Sequence, residues 1–239
     1  EWEDKFPFSG ELSALKHPAA LTEKELEKWL KTCYTYYVEV FSLVQSLGHF
    51  QYVLKHEEFQ LLSETYEIEP KTRRDKKEHH SQMCPLNPEV KDFLWLLHSQ
   101  IQAGMGPHKK SRYVHIGMDE TRNLGKCPKC SAIVKKNPKN GKSKLYIDHL
   151  NWISKKYTNM KKIPIVWNDM LEEEYQLLDQ LNKDLWICDW EYDHPIPIKE
   201  KTLHKRVENI DPSVKSVDWV RTRARKTPDQ LKTSPPESV

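Results

Sequence analysis

Apolar residues recur along the chain with a helical period in two early segments. Thr22 and Glu25 have the spacing of a capping box, which predicts that a helix follows Thr22. Asn87 and Pro88 have the character of an N-cap and a first helical residue, and Gly104 is a suitable stop. The apolar stripes of these two predicted helices are Leu26, Trp29, Leu30 and Cys33 in the first, and Val90, Phe93, Leu94, Leu97 and Ile101 in the second.

Short apolar runs that predict strands alternate with helical segments through the rest of the chain. The predicted strands are residues 38–45, 112–117, 163–167 and 185–190. Strands separated by helices indicate a parallel α/β fold, either a doubly wound sheet or a (β/α)8 barrel. The two later helices carry Tyr146, Leu150, Ile153 and Tyr157, and then Tyr175, Leu178 and Leu181.

Composition removes several classes of protein from consideration. The chain has seven glycines and neither GxGxxG nor GxxxxGK[ST], which argues against a nucleotide-binding doubly wound fold. Its 38 Lys and Arg nearly balance 35 Asp and Glu, so the charge gives no case for nucleic-acid binding. No apolar run approaches the roughly 20 residues that cross a bilayer. Residues 71–80 predict a solvated loop, and periodicity is lost beyond residue 199.

The five cysteines are an odd number at scattered positions, unlike a secreted disulfide framework. We therefore expect a reducing compartment, the cytoplasm or the nucleus. Cys127 and Cys130 form a CxxC pair, but a structural zinc site needs four ligands and the sequence offers no second pair. Cys84, Cys188 and the histidines are further candidates only if the fold gathers them. Free structural thiols are the favoured interpretation, and a metal site and a disulfide are the alternatives.

The densest group of chemically active residues follows the strand predicted at 112–117. It reads His115-Ile116-Gly117-Met118-Asp119-Glu120, at the strand end where parallel α/β enzymes place catalysis. Two adjacent carboxylates, with Cα atoms about 3.8 Å apart, cannot easily flank a glycosidic bond from opposite sides. They suit another division of labour, in which one protonates the leaving oxygen. The other then holds a nucleophile that the substrate provides, such as a 2-acetamido group.

This group resembles the His-x-Gly-x-Asp-Glu motif of family 20 β-N-acetylhexosaminidases. Further segments resemble that family in the same order along the chain, and together they cover about residues 1–195. An ordered series of matches is a stronger signal than one short motif. The segments are residues 1–8, 43–49, 53–56, 165–170 and 190–192.

The resemblance implies a (β/α)8 TIM barrel and retaining, substrate-assisted hydrolysis of terminal non-reducing N-acetylhexosamine, without a cofactor or a catalytic metal. It makes Glu120 the general acid/base. It makes Asp119 the residue that orients the acetamido nitrogen and stabilises the oxazolinium-like intermediate. Trp167 would wall the pocket around the acetamido methyl, Tyr192 would donate its hydroxyl to the acetamido oxygen, and His49 would lie in the floor. The predicted substrate-binding set is completed by His115, Trp190 and Asp169.

The same resemblance predicts an incomplete barrel, with the first and last strands missing. Residue 1 corresponds to the end of the family's second strand, so the first strand and its sugar-binding arginine are without a counterpart. We therefore expect a partial catalytic barrel over residues 1–200 and a basic, disordered tail over residues 201–239. Whether such a chain is active is open.

Three functional hypotheses remain. The first is a β-N-acetylhexosaminidase that acts on N-acetylhexosamine-containing glycosides, with no nucleic-acid or membrane partner and with a homodimer as one candidate assembly. The second is a catalytically inactive truncated barrel that serves as an interaction protein. The third is a small zinc- or nucleic-acid-binding module built on Cys127, Cys130 and the lysines around them.

Overall fold

A three-stranded parallel sheet lies at the centre of the described part of the chain. The computed structural model describes residues 1–68, 81–173 and 175–190. Strands β1 (Tyr113–His115), β2 (Ile163–Trp167) and β3 (Trp186–Cys188) stand in the order β1-β2-β3. Val114 lies opposite Pro164, and Val166 lies opposite Ile187. These strands confirm the predicted ones at 112–117, 163–167 and 185–190, with identical bounds for the second and shorter bounds for the first and third.

The strand predicted at residues 38–45 is wrong as a full strand. Only Leu43 pairs with β1, as an isolated parallel bridge to His115. The ladder stops because the next backbone carbonyls are taken by buried histidine side chains from two helices. His98 Nε2 lies 3.1 Å from the Gln45 carbonyl oxygen, and His149 Nε2 lies 2.8 Å from the Ser46 carbonyl oxygen. Histidine side chains thus pair with the backbone carbonyls that a neighbouring strand would otherwise bind.

The helices begin where the sequence predicted. Helix α1 (Glu23–Thr35) has a complete capping box, in which Thr22 and Glu25 each accept the other's backbone N–H. The Asn87 side chain accepts the Glu89 N–H at 3.0 Å at the start of helix α3. The other helices are α2 (Gln51–Leu54), α3 (Pro88–Gly104), α4 (Pro128–Lys136), α5 (Gly141–Asn159) and α6 (Asp169–Glu173), with 3₁₀ helices at Gly10–Leu15, Glu57–Leu62, Gly106–Lys110 and Tyr175–Gln180.

The last predicted helix differs from expectation. The segment Tyr175–Gln180 is a 3₁₀ helix rather than an α-helix, and Leu177 inside it has non-helical torsions of φ −122° and ψ 24°. Asn182 follows it, and the Asn182 N–H donates to the Asn151 side chain at 2.8 Å. The short turn therefore docks against α5 through polar groups, which a pattern of apolar residues does not reveal.

The core lies between the sheet and the long helices α3 and α5. Val114, Ile116 and Val166 are fully buried on the sheet side. Burying a large aliphatic side chain contributes about 1.5–3 kcal/mol, so the helix stripes that face the sheet hold the layers together. The fully buried residues of those stripes are Val90, Leu94, Leu97, Ile101, Tyr146, Leu150, Ile153 and Tyr157.

Each pair of successive strands is joined by helices, as parallel neighbours require. Helices α4 and α5 lie between β1 and β2 along the chain, and α6 with the following 3₁₀ helix lies between β2 and β3. No described helix is both long and apolar enough to cross a membrane. The loop predicted at residues 71–80 and the tail predicted from residue 201 lie outside the described residues.

Candidate active site

The carboxyl ends of the strands bring the predicted site residues to one edge of the sheet. Gly117 through Glu120 follow β1, Asn168 and Asp169 follow β2, and Trp190 follows β3 closely. The backbone N–H of Glu120 donates to Asp169 Oδ2 at 3.0 Å, which ties the end of β1 to the end of β2. This is the face on which (β/α)8 enzymes place their catalytic groups.

The backbone around the carboxylates is strained. Met118, Glu120 and His49 have positive φ values of 76°, 49° and 58°. A left-handed conformation costs a non-glycine residue about 1–2 kcal/mol, so the surrounding contacts must hold it in place. The Tyr146 hydroxyl donates to the Met118 carbonyl at 2.9 Å, and the Met118 N–H donates to Gln45 Oε1 at 3.3 Å.

Two glycines allow this close packing. A Cβ on Gly48 would lie 2.4 Å from the Asp119 carbonyl oxygen. A Cβ on Gly117, whose φ is +65°, would lie 2.0 Å from Gln45 Oε1. The segment that carries His49 therefore touches the Asp119 backbone directly, and no larger residue fits at either position.

Asp119 is held from two sides. Gln45 Nε2 donates to Asp119 Oδ1 at 3.0 Å, and His49 Nε2 lies 3.2 Å from Asp119 Oδ2. Burial pushes the pKa of Asp119 upward, but the hydrogen bond and charge of His49, with Gln45, outweigh burial and lower this pKa overall. The hydrogen bond to Asp119 raises the pKa of His49, although burial opposes the shift. Both shifts favour an ionised Asp119 beside a protonated His49.

Glu120 is the more open carboxylate, with 41% of its side chain exposed against 15% for Asp119. Its Oε2 lies 3.7 Å from His49 Nε2, and its Oε1 accepts from Arg122 Nη2 at 3.3 Å. His49 therefore lies between the two adjacent carboxylates. An exposed carboxylate next to a fixed, ionised one suits proton exchange with a bound ligand.

His115 and Trp167 form the aromatic side of the site. Their rings lie 4.2 Å apart, and His115 Nδ1 accepts the Gly117 N–H at 3.1 Å. Burial lowers the pKa of His115 to about 4, so the ring is neutral near pH 7. The proton of the neutral ring then resides on Nε2, which is buried and has no hydrogen-bond partner among the described residues.

Asp169 and Trp190 close the far end of the site. Burial raises the pKa of Asp169, while hydrogen bonds from the Glu120 backbone, the Met170 backbone and the Trp190 side chain oppose the shift. Asn168 fixes the ends of β2 and β3 together, because its side chain donates to Asp189 Oδ1 at 2.6 Å and accepts the Trp190 N–H at 3.1 Å. Tyr192 lies outside the described residues.

A family model, the catalytic domain of glycosyl hydrolase family 20, matches residues 9–212. The chain belongs to this family. It is 30% identical over 178 residues to hexosaminidase D of Bos taurus, a match that covers 72% of this chain and 46% of the relative. It is 30% identical over 175 residues to hexosaminidase D of Homo sapiens, covering 72% of this chain and 33% of that one. The chain therefore spans less than half the length of both relatives.

Solved family 20 structures share the fold. A chitobiase from Flavobacterium johnsoniae superposes with a TM-score of 0.61 at 15% identity, over 86% of this chain and 30% of that one. A β-N-acetylhexosaminidase from Bacteroides fragilis gives a TM-score of 0.56 at 17% identity, over 79% of this chain and 34% of that one. The fold is accordingly TIM-barrel-like α/β, which the three described strands alone did not distinguish from a doubly wound sheet.

Sequence reasoning missed three residues that contact the acidic turn in this chain. Gln45 connects Asp119, the Met118 N–H and Glu1, whose Oε1 it contacts at 3.1 Å. Tyr146 supports the strained Met118, and Arg122 pairs with Glu120. Gln45 lies in the segment 43–49 that resembles the family, and Tyr146 lies on the apolar face of a predicted helix. Neither the family resemblance nor the helical period predicts that the side chains of Gln45 and Tyr146 contact the acidic turn.

Proposed function

We propose that this chain carries the catalytic pair of a β-N-acetylhexosaminidase, which removes terminal non-reducing N-acetylglucosamine or N-acetylgalactosamine with retention. The observation that carries the proposal is the Asp119–Glu120 pair itself. The pair follows β1 in a strained turn, with one carboxylate fixed and ionised and the other open to solvent. The relatives named hexosaminidase D support the same class of substrate.

In the first step Glu120 gives a proton to the leaving oxygen as the glycosidic bond breaks. The acetamido carbonyl oxygen of the substrate bonds to the anomeric carbon, so the intermediate is an oxazolinium rather than an enzyme ester. Asp119 accepts a hydrogen bond from the acetamido N–H and offsets the positive charge that develops. In the second step Glu120 takes a proton from water, the water oxygen bonds to the anomeric carbon, and the acetamido group is restored.

The surroundings of the two carboxylates fit this division of roles. Asp119 must remain ionised, and the His49 and Gln45 contacts favour that state. Glu120 must carry a proton, yet its two oxygens face His49 and Arg122. The Arg122 side chain is 78% exposed and pairs with no other described residue, so a bound sugar and its leaving oxygen would displace this partner. Substrate binding is then part of the preparation of the acid.

The remaining predicted residues shape the subsite. Trp167 would pack on the acetamido methyl. The His115 ring lies against Trp167, and its Nε2–H has no acceptor among the described residues, so it could donate to the bound sugar. His49 would form the floor, Asp169 holds the Glu120 backbone, and Trp190 lies against Asp169. Tyr192 keeps its predicted role as a donor to the acetamido oxygen.

The decisive measurement is hydrolysis of a fluorogenic N-acetylhexosaminide by purified protein, with the matching plain hexoside as the control substrate. Substrate assistance requires turnover of the acetamido sugar and none of the sugar that bears a hydroxyl at C2. The assay uses both residues 1–239 and the longer protein that contains this chain, if there is one. Absence of turnover in every form would favour the inactive interaction protein. Equal turnover of both sugars would reject the substrate-assisted scheme.

A further inference from the structure

A second cluster of ligand-type side chains lies close to the catalytic motif and takes no part in the proposed reaction. Glu64, Cys84, Cys127 and Cys130 are all buried, and one ligand atom from each lies within 4.8 Å of the others. All five cysteines of the chain are free thiols in the structure. We call these four residues the thiol–carboxylate cluster.

Two separate pieces of local structure bring the cluster together. Ser63 and Met83 form an isolated antiparallel bridge, which places Glu64 opposite Gln82 and Cys84 opposite Leu62 and brings Glu64 and Cys84 to the same side of the bridge. The Glu64 N–H donates to the Gln82 carbonyl at 2.9 Å, and the Cys84 N–H donates to the Leu62 carbonyl at 2.8 Å. The second piece is the start of α4, where Cys127 is the N-cap and its sulfur accepts the Cys130 N–H at 3.3 Å. The CxxC pair thus meets a partner pair that is distant in sequence.

The spacing of the ligand atoms matches a tetrahedral site. Cys84 Sγ lies 3.6 Å from Cys127 Sγ and 3.7 Å from Cys130 Sγ. Cys130 Sγ lies 3.4 Å from Glu64 Oε2. With zinc–sulfur bonds of about 2.3 Å and zinc–oxygen bonds of about 2.0 Å, tetrahedral geometry gives roughly 3.8 Å between sulfurs and roughly 3.5 Å from sulfur to oxygen. These three separations are within about 0.2 Å of the tetrahedral values. The ligand atoms of all four residues lie within 4.8 Å of one another.

The carboxylate of Glu64 is positioned as a ligand would be. Its Oε1 accepts the backbone N–H groups of Gly125, Lys126 and Cys127 at 3.1, 2.9 and 3.1 Å. Those three bonds fix the carboxylate and direct Oε2 toward the sulfurs. Ligating carboxylates in proteins are themselves hydrogen-bonded in this way, which holds them in the geometry that the metal needs.

We propose that the thiol–carboxylate cluster binds one structural zinc ion through three thiolates and Glu64 Oε2. Thiolate ligands select zinc over calcium and magnesium, which prefer oxygen. All four positions come from the protein and are buried, so the site is closed and does no hydrolytic chemistry of its own. A disulfide would use two of the sulfurs and leave the third beside an unrelated carboxylate, which does not account for the fourfold arrangement.

Zinc at this position would fasten the segment that follows the catalytic pair. Glu120 and Cys127 are close in sequence, and between them the Asn123 N–H donates to Gln82 Oε1 at 2.9 Å. The ion would therefore join the chain that leaves the acidic turn to the segment that precedes α3. The proposal concerns this chain's own ligands and does not depend on whether the acidic pair hydrolyses sugars.

Metal content is the direct test. The full chain, purified without chelators, is analysed by inductively coupled plasma mass spectrometry, and about one zinc ion per chain is expected. Cys84→Ser and Cys127→Ser should reduce the zinc content to background. Glu64→Ala should weaken zinc binding by at least about tenfold, measured by competition with a chromogenic chelator. Cys33→Ser and Cys188→Ser are the matched controls, because both thiols lie outside the cluster, and they should keep the ion.

Cobalt(II) provides a second readout that does not require the variants to fold. Wild-type protein reconstituted with cobalt should show the visible bands of tetrahedral cobalt and thiolate-to-cobalt charge transfer in the near ultraviolet. Folded, reduced wild-type protein with no zinc above the buffer and no cobalt spectrum would overturn the proposal. A disulfide between any two of the three cysteines in freshly purified protein would overturn it as well, and so would equal loss of zinc in the control variants.

Discussion

Two acidic side chains, Glu64 and Glu120, have opposite surroundings in this chain. Glu64 is fully buried, and its charge meets three backbone N–H groups and three sulfurs. Glu120 is partly exposed, and its charge faces His49 and Arg122. Backbone donors fix a carboxylate permanently, because they cannot rotate away. Side-chain partners at a solvent-open site can be exchanged for a ligand.

The contrast shows how one chain separates structure from chemistry. The buried group has donors aimed at the ionised state and no exchangeable partner, which suits a fixed ligand. The open group is held in a strained turn, with positive φ at Met118 and Glu120, and its partners are long side chains. Strain that persists in a folded protein is maintained by surrounding contacts, and it concentrates at functional sites.

The largest expected effect is on turnover when the open carboxylate is changed. Glu120→Gln should reduce kcat by about 10²–10⁴-fold for substrates with a poor leaving group, because no acid protonates the leaving oxygen. A very good leaving group needs less protonation and should lose much less. Steady-state kinetics on a leaving-group series, with Glu173→Gln as the exposed control, makes the comparison. An equal loss across the series would remove Glu120 from the acid/base role.

Asp119→Asn should reduce kcat by roughly 10²–10³-fold while the protein stays folded, because a preorganised charge at the reacting centre is worth a few kcal/mol. The same change removes the main cause of the raised His49 pKa, so that pKa should fall. NMR titration of the histidine resonances, alongside kinetics, separates the two consequences. Near-normal rates with a lowered His49 pKa would mean that the ion pair is structural rather than catalytic.

The free energy of unfolding should respond more to a change at Glu64 than to a change at Glu120. Glu64→Gln should lower the free energy of unfolding by about 2 kcal/mol, because three backbone donors lose a buried, charged acceptor. Glu120→Gln should change it by less than about 0.5 kcal/mol, as at most exposed sites. Denaturant unfolding of the two isosteric variants under identical zinc conditions gives both values. If Glu120→Gln were the more destabilising, the division between fixed and exchangeable carboxylates would be wrong.

The smallest effect concerns pH. The raised pKa of His49 makes the pair stabilising below the ordinary histidine value near 6.5, and that contribution is lost as pH rises through the raised pKa. The lowered pKa of Asp119 makes its contribution present above the ordinary value near 3.9 and lost as pH falls through the lowered one. His49→Gln should therefore cost about 1 kcal/mol near pH 6 and less near pH 9. A cost that does not change with pH would show that His49 acts without its charge.

The sequence predicted which acidic side chains meet better than it predicted the supports around them. Asp119, Glu120 and Asp169 meet because the ends of β1 and β2 converge at one edge of the parallel sheet, and His49 reaches them from the segment that follows the bridge at Leu43. Their supporter Gln45 was not predicted, since a single amide in an apolar run has no pattern. Two element predictions also failed, because residues 38–45 pair with β1 only at Leu43 and because Leu177 has non-helical torsions.

The thiol–carboxylate cluster shows the same limit from another side. A CxxC pair was visible, but Cys84 and Glu64 become its neighbours only through an antiparallel bridge at Ser63 and Met83. That bridge depends on the three-dimensional path of the chain, and the spacing of residues in the sequence does not predict it. The incomplete barrel and the disordered tail stay predictions, because they concern strands and residues beyond those described.

The two buried histidines that contact the carbonyls of Gln45 and Ser46 have a consequence for how the proposed site can change in evolution. His98 belongs to α3 and His149 to α5. Their rings hydrogen-bond to the carbonyls of Gln45 and Ser46, just before His49. The packing of α3 and α5 therefore influences where His49 lies, while the sheet sets the position of Asp119 and Glu120. Under the proposed function, changes in that packing would alter the depth of the sugar pocket without changing a residue that contacts the sugar. Laboratory selection for new substrates should accordingly gather changes on the inner faces of α3 and α5.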